Sequence, residues 1–598
     1  MKKLFCLGVL MFGFSTVAQL YVSPNSYVFV KNQYVFVNQD VNLESSGNFF
    51  LRNEGQLLQG TTGLSTNKGQ GNLSVLQEGT SDNFDYNYWC SPVGNASNAS
   101  GNENFGITML HVPTTVINSS PATMLSTSYD GVSGNGSLSI ATYWIWKFLA
   151  GTNYSEWIQS ADNTDIAAGQ GFTMKGSNGT DNTDIGETVV NNPGSAQRYD
   201  FRGKPNDGNI TVNVATDNLT LTGNPYPSAL HVNAFLLDSG NTDCTGIAYY
   251  WEHDKTINSH LLLAYRGGYG TYAPISTSPT EYGVYVPATF DSYNIDGSLN
   301  TIGASSGLSI QRKYAPIGQG FMIKGKASGS PVSVTIKNSH REFYKESDVY
   351  SQFERNANNQ SASTQDSTVN QNAQIRLNTI MNNQFTRQIA LVFLPTATDG
   401  IDRGIDAKSP VEETIPNDVY FFLDNSKYVI QGLTFDENKR IPVGIKSTNN
   451  ASFKFDASLV ANFDASQPIF MYDALDNSYH DIKTSTYEVV LPTGVYNNRF
   501  EITFKDASLT HSDNIKSDLI LSQNENTHTL TVSNPNSLDL KSVKLYDLNG
   551  KQIFEKQQPG IQDSYQFSTA GLAEAVYLVE ILTTGNRKMA QKIIISNH

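Results

Sequence analysis

The residues that first invite a chemical reading are a lysine and the glycines around it. AAGQGFTMKGSNG occupies residues 167–179 and PIGQGFMIKGKASG residues 316–329, sharing GQGF-x-x-KG at 169–176 and 318–325. Clustered glycines with a lysine have the look of a phosphate loop. Such a loop needs G-x-x-x-x-G-K-[ST] between a strand and a helix, so that backbone N–H groups and a helix N-terminus face the phosphates. Here Lys175 and Lys324 each precede a glycine, and Ser, Asn, Ala and Gly follow. Those residues build turns, not helices. The stretch therefore reads as turn, strand, turn, used twice, and not as a nucleotide site.

Other chemistry-bearing groups are weaker still. Gly303, Ser305 and Gly307 match G-x-S-x-G, but inside a Ser/Gly/Asn loop without the strand and helix of a nucleophile elbow. WEHD at 251–254, with His260 beyond, gathers metal-ligand types without the spacing of a zinc site. Asp399, Asp402 and Asp406 fall on a glycine-broken loop, ATDGIDRGIDAK. Calcium favours oxygens on such a loop, though the spacing is not that of an EF-hand. Nothing singles out a carboxylate pair for sugar hydrolysis, whose separation is a matter of space. All five tryptophans (Trp89, Trp144, Trp146, Trp157 and Trp251) lie between residues 81 and 341. They either fill the core of small β domains or present flat faces to sugar rings. Strand alternation would turn Trp144 and Trp146 to one face and Tyr143 and Ile145 to the other, leaving Trp144, Trp146 and Trp251 as candidate ligand-facing rings.

The elements that must position these groups are β-strands. Charged residues make up only 16% of the 598, against 11% aromatic. With abundant Asn, Ser, Thr and Gly, that composition favours short strands and turns over helices and argues against disorder. The formal charge of −15 excludes a nucleic-acid partner. Residues 1–18, MKKLFCLGVLMFGFSTVA, combine a basic start, an apolar run and small residues at a cleavage position, which reads as a secretory signal peptide. Cys90 and Cys244 survive its removal. In an exported protein such a pair can form a disulfide, but sequence does not supply the Cα separation that a bridge requires.

The predicted organisation is a β-rich segment at 19–80, then a duplicated β region at 81–341 with copies at about 81–200 and 201–341. Each copy runs from a proline turn through an aromatic strand to GQGF. A polar linker at 344–374 leads to a β-sandwich at 375–506, a second linker at 507–519 and a terminal β module at 520–598. The fold class is all-β: several β-sandwich or Ig-like domains in tandem.

The terminal module carries Asn534-Pro535, Tyr546-Asp547, Asn549-Gly550-Lys551, Gly571-Leu572, VYLV at 576–579, Gly585 and QKIII at 591–595. In this pattern it resembles the C-terminal type A sorting domain of proteins exported by the type IX secretion system of Bacteroidetes. Ala575 departs from it, since the family usually has glycine before the Val-Tyr pair. The resemblance implies a small β-sandwich whose sorting signal is built around Asn534, Pro535, Tyr546, Asp547, Gly550, Lys551, Gly571, Tyr577, Gly585 and Lys592. It also implies passage through the periplasm to the cell surface or medium, with the translocon and its outer-membrane shuttle and sortase components as partners. The remainder is similar to uncharacterised surface proteins of gliding Flavobacteria. The expectation is a secreted or cell-surface adhesion protein that binds glycan or another surface, without catalysis and without a cofactor unless calcium. Its rivals are a polysaccharide-degrading enzyme carrying the same tail and a structural surface-layer component.

Overall fold

The computed structural model describes residues 19–597 except 135, 181–183, 187–196, 254–256, 262, 266, 279–280, 290–310, 347–350, 352, 354–371, 411–414, 507–517 and 585–587. The leader, most of both linkers, the G-x-S-x-G stretch and Gly585 lie outside the described residues. Strands are the main regular element of the chain, and the longest helix described is the six-residue Val232–Leu237. The fold is all-β and built from many separate sheets.

The chain divides into two compact units, residues 1–467 with 471–502, and residues 468–470 with 503–598. Strands between residues 373 and 467, such as Ala373–Met381 and Phe385–Phe393, belong to the same unit as those before them.

The first unit begins with a parallel winding. Leu20 pairs beside Val41 and Tyr27 beside Asn48, a step of about 21 residues, with Tyr34 beside Gln56 on a further side. Alternation in YVFVKNQYVFV puts Val30 and Val37 inside while Tyr27, Phe29, Tyr34 and Phe36 face out. Corners turn at Asn25, Asn32 and Asn53, all in the left-handed region that asparagine tolerates. Parallel coiling is invisible in the sequence, because alternation announces a strand but not its neighbour's direction.

The two motif strands are paired alike. Gly171–Lys175 lies antiparallel to Tyr86–Cys90, with Gly171 opposite Cys90 and Lys175 opposite Tyr86. Gly320–Gly325 lies antiparallel to Leu219–Gly223, with Gly320 opposite Gly223 and Lys324 opposite Leu219. Each is also flanked on its other edge by the aromatic segment of its own copy, at Trp146 and at Tyr249. Phe172 and Phe321 are fully buried, each in its own hydrophobic cluster.

The motif glycines explain themselves here. Gly169 and Gly318 turn at φ +84° and +83°, a conformation that L side chains rarely adopt. Gly171 and Gly320 let the copies meet. A Cβ on Gly171 would stand 2.7 Å from Leu221 Cγ and from the Thr222 carbonyl oxygen of the second copy. A Cβ on Gly320 would stand 2.6 Å from the Tyr88 carbonyl carbon and 2.7 Å from the Trp89 nitrogen of the first. The contact is reciprocal, and Cys90 N–H donates across it to the Gly318 carbonyl at 2.9 Å.

The second unit is a two-layer antiparallel module. Ile520–Asn524, Thr529–Ser533 and Ser564–Ser568 form one sheet. Gln552–Gly560, Leu540–Tyr546, Ala575–Thr583 and Lys588–Ile595 form the other. Leu530, Val532, Val543, Leu545, Val579 and Ile581 fill the space between.

Candidate functional site: an aromatic cavity at the junction of the two copies

Where the copies meet, a cavity of about 570 Å³ stays open. Its floor follows from strand alternation. Phe172 and Met174 point into the first core, so Thr173 and Lys175 point the other way, into the cavity. The second copy contributes the equivalent positions: Met322 matches Thr173, and Leu219 matches Tyr86.

Four of the five tryptophans line this space: Trp144, Trp146, Trp157 and Trp251. Trp89 does not. It is fully buried against Tyr199, Phe201 and Phe353. Tyr86, Tyr88, Tyr143, Tyr154, Tyr265 and Tyr269 complete the walls. Trp251 lies nearly parallel to both Tyr88 and Tyr265, with centroids 6.1 Å apart in each pair. Tyr88 donates to or accepts from the Tyr269 hydroxyl at 2.9 Å. Burial raises the Tyr88 and Tyr265 hydroxyls well above the usual phenol range and pushes Tyr269 up to about 12, so all three stay neutral. Tyr143 and Tyr154 are exposed at the mouth.

The expected alternation of Trp144 and Trp146 against Tyr143 and Ile145 is corrected. Thr142–Trp144 is a turn of 3₁₀ helix, not strand, so the period of two is broken. Tyr143 joins Trp144 and Trp146 on the cavity side, and only Ile145 goes to the core. The Trp144 indole N–H donates to the Tyr129 carbonyl at 2.7 Å, and that of Trp146 to the Tyr143 carbonyl at 2.6 Å, which fixes both rings.

Among the described lining residues, one lysine enters this aromatic space. Lys175 Nζ stands 4.0 Å from the Trp144 ring centre, 4.9 Å from that of Tyr86 and 5.6 Å from that of Tyr265. These are cation–π distances. Its hydrogen-bond partner is His260 Nδ1 at 3.2 Å, and His260 Nε2 reaches Asp130 Oδ1 at 2.8 Å. His260 also stacks on Trp144, with centroids 5.3 Å apart. Burial lowers the Lys175 ammonium to about 8, against the raising effect of Asp85, Asp82 and Asp130. Asp85 itself sits against His253 Nε2 at 3.0 Å, and both are buried.

The remaining candidates go elsewhere. Asp399 pairs with Lys439; Asp402 accepts from the Thr398 N–H at 2.6 Å; Asp406 accepts from Asp402 N–H at 2.6 Å and Gly432 N–H at 2.8 Å. These carboxylates fold their loop and do not converge. Among the described residues no group of three His, Cys, Asp or Glu is placed to hold a metal. Cys90 and Cys244 are separate buried thiols, not a disulfide. Cys90 closes its strand opposite Gly171, while Cys244 belongs to the second copy's core. In the terminal module, Asn534 is fully buried and ties a turn, donating to the Leu538 and Gln562 carbonyls and accepting from Leu538 N–H, each at 2.9 Å. Asp547 accepts from the Asn549 and Lys551 N–H groups at 2.9 Å around Gly550 at φ +81°. Tyr577 donates to the Ala573 carbonyl at 3.0 Å. Pro535, Lys551, Gly571 and Lys592 are exposed, and Tyr546 is half-buried.

The model of a family described as a domain of unknown function, DUF8693, matches residues 13–504. The chain belongs to that family. The DUF8693 region thus contains both motif copies and the cavity between them. A second model, DUF8694, also a domain of unknown function, matches residues 508–595. No curated protein matches the chain. Among solved structures, a DUF3244 family protein with an immunoglobulin-like β-sandwich fold from Bacteroides vulgatus is similar over 13% of this chain and 85% of its own, at 17% identity and TM-score 0.12. Tp47, the 47-kilodalton lipoprotein of Treponema pallidum, is similar over 62% of this chain and 92% of its own, at 10% identity and TM-score 0.13. Scores this low carry no functional argument.

Sequence reasoning missed Tyr86, Tyr88, Asp130 and Tyr265 altogether, and set Lys175 and His260 aside. A signal for Lys175 was present. It is the one charged residue of a strand otherwise reading Gly-Phe-Thr-Met, which a buried site would explain. Asp130 had none, being a loop aspartate like many others.

Proposed function

We propose that this protein binds carbohydrate in the aromatic cavity, as a binding protein of the cell exterior. The observation that carries this reading is the convergence of four of five tryptophans on one open space. Aromatic rings that serve only a core close upon each other, as Trp89 does with Tyr199, Phe201 and Phe353. Here they leave a volume in the range of small-molecule sites. A sugar ring offers apolar C–H faces to stack on indole and phenol, and hydroxyls at its edge. Thr152, Asn153 and Ser155 at the exposed rim supply polar partners for that edge.

Export by the type IX route belongs to the same proposal. It is supported by the motif residues of the terminal module, which tie its turns, and by the separate compactness of that module. Screening the purified full chain against an array of neutral and acidic oligosaccharides tests the binding reading. Saturable retention that weakens in Trp251→Ala supports it, and an array without retention refutes it.

A further inference from the structure

The cavity holds more than stacking faces. Lys175, His260 and Asp130 form a chain from its floor toward the surface, with contacts of 3.2 and 2.8 Å. Asp130 also takes a hydrogen bond from Asn83 Nδ2 at 2.5 Å, which holds the carboxylate in place. Because His260 Nε2–H donates to Asp130, Nδ1 presents its lone pair to Lys175 Nζ. A nucleophile, a base within hydrogen-bond reach and a third group orienting that base make up the arrangement of nucleophilic catalysis. A structural lysine in so apolar a place would be expected to carry a carboxylate partner, as Lys147 and Lys204 do with Asp165 and Glu103. Among the described residues the direct partners of Lys175 Nζ are His260 and aromatic faces, and Asp82, Asp85 and Asp130 act on it only from farther off.

We infer that Lys175 is an amine nucleophile that captures a small aldehyde in the aromatic cavity as an imine. Lys175 first yields a proton to His260 Nδ1. The Nζ lone pair then forms a bond to the carbonyl carbon, and the C=O π pair moves to oxygen, which takes a proton. That proton comes from the nitrogen, and the resulting carbinolamine hydroxyl takes back the proton held by His260 and leaves as water while the nitrogen lone pair forms the C=N bond. One water leaves, nothing is oxidised or reduced, and the product is the protonated imine. That product keeps a positive charge where the ammonium stood. The faces of Trp144, Tyr86 and Tyr265 and the nearby charges of Asp82, Asp85 and Asp130 therefore stabilise product as they did reactant. Burial of Nζ adds to its reactivity, since a desolvated lysine is more often a free amine near neutral pH. The inference does not depend on the cavity accepting sugars.

The test treats the full chain with glycolaldehyde at pH 8 and sodium cyanoborohydride, which reduces an imine to a stable amine, and follows each lysine by peptide mass. Its free-amine advantage, less the nucleophilicity lost with basicity, predicts labelling of Lys175 at least about tenfold faster than the median lysine. Labelling of Lys175 at or below the median overturns the inference. This comparison is internal to the unmodified protein and requires no variant to fold. His260→Gln keeps a hydrogen-bond acceptor but cannot take the proton. Labelling of Lys175 in that variant should slow and its pH profile should move upward, and an unchanged rate and profile would remove His260 from the step. Labelling without oligosaccharide retention supports the inference against the binding proposal. Retention without labelling leaves the binding proposal alone standing.

Discussion

Lys175 and Lys324 close the same repeated motif, yet Lys324 pairs with Asp217 at 2.9 Å while Lys175 faces three aromatic rings and the imidazole of His260. Position in the repeat is shared, and environment is not. The first copy brings its lysine to the shared cavity, whereas the second ties its own to Asp217 and the Pro410 carbonyl and lines the cavity with Leu219 and Met322.

That difference has a thermodynamic consequence. Lys175 ordinarily titrates near 10.5 and is lowered to about 8 in the fold. Between those values the unfolded chain binds the extra proton, so stability rises with pH across that window. The penalty of burying the charge is fully present below pH 8 and is relieved by pH 10.5. Lys175→Met should therefore be more stable than wild type at pH 7, by on the order of 1–3 kcal/mol, with the gap closing by pH 10.5. Urea unfolding of both proteins across pH 7–10.5 checks it, and a constant gap would contradict the cause assigned here.

Gly171 and Gly320 each fill a place that a methyl group cannot enter without moving backbone. Alanine at either should cost about 1–3 kcal/mol, as overpacking does. Both sit at one junction, so the double substitution should cost less than the sum. Chemical denaturation of the two single variants and the double variant measures this directly.

Calcium should leave the protein unchanged. Asp399, Asp402 and Asp406 are engaged by Lys439, the Thr398 N–H, and the Asp402 and Gly432 N–H groups. Melting in millimolar calcium and in chelator should coincide, and stabilisation lost on substituting Asp402 would restore a metal to this loop. Burial raises the Asp406 carboxyl to about 6. Its native state holds a proton longer than the unfolded chain, so this group's contribution falls as pH rises from about 4 to 6.

Deleting residues 520–598 should trap the rest of the chain in the periplasm if the terminal module is an export address. Cell fractionation reads the outcome, and normal surface display of the truncated chain would end that part of the account. Asn534→Ala removes three hydrogen bonds from a buried turn and should loosen the module by about 2–3 kcal/mol.

Strand content, the aromatic richness of residues 81–341 and the repeated GQGF turn were legible in the sequence, because alternation and glycine report local backbone geometry. What required three dimensions was adjacency. Nothing in the order of residues places His260 beside Lys175, or Tyr88 beside Trp251, since those contacts cross between copies. Period-two reasoning also failed at Thr142–Trp144, where a 3₁₀ turn replaced the strand it assumes. The N-terminal winding escaped for a related reason, because parallel and antiparallel strands alternate alike.

Calorimetric titration of the oligosaccharide best retained on the array measures whether the aromatic cavity holds a carbohydrate. One saturable site is expected, with affinity reduced about tenfold in Trp251→Ala and in Trp146→Ala through the loss of about 1.4 kcal/mol of stacking. Equal affinity in wild type and both variants would place the ligand elsewhere and contradict it.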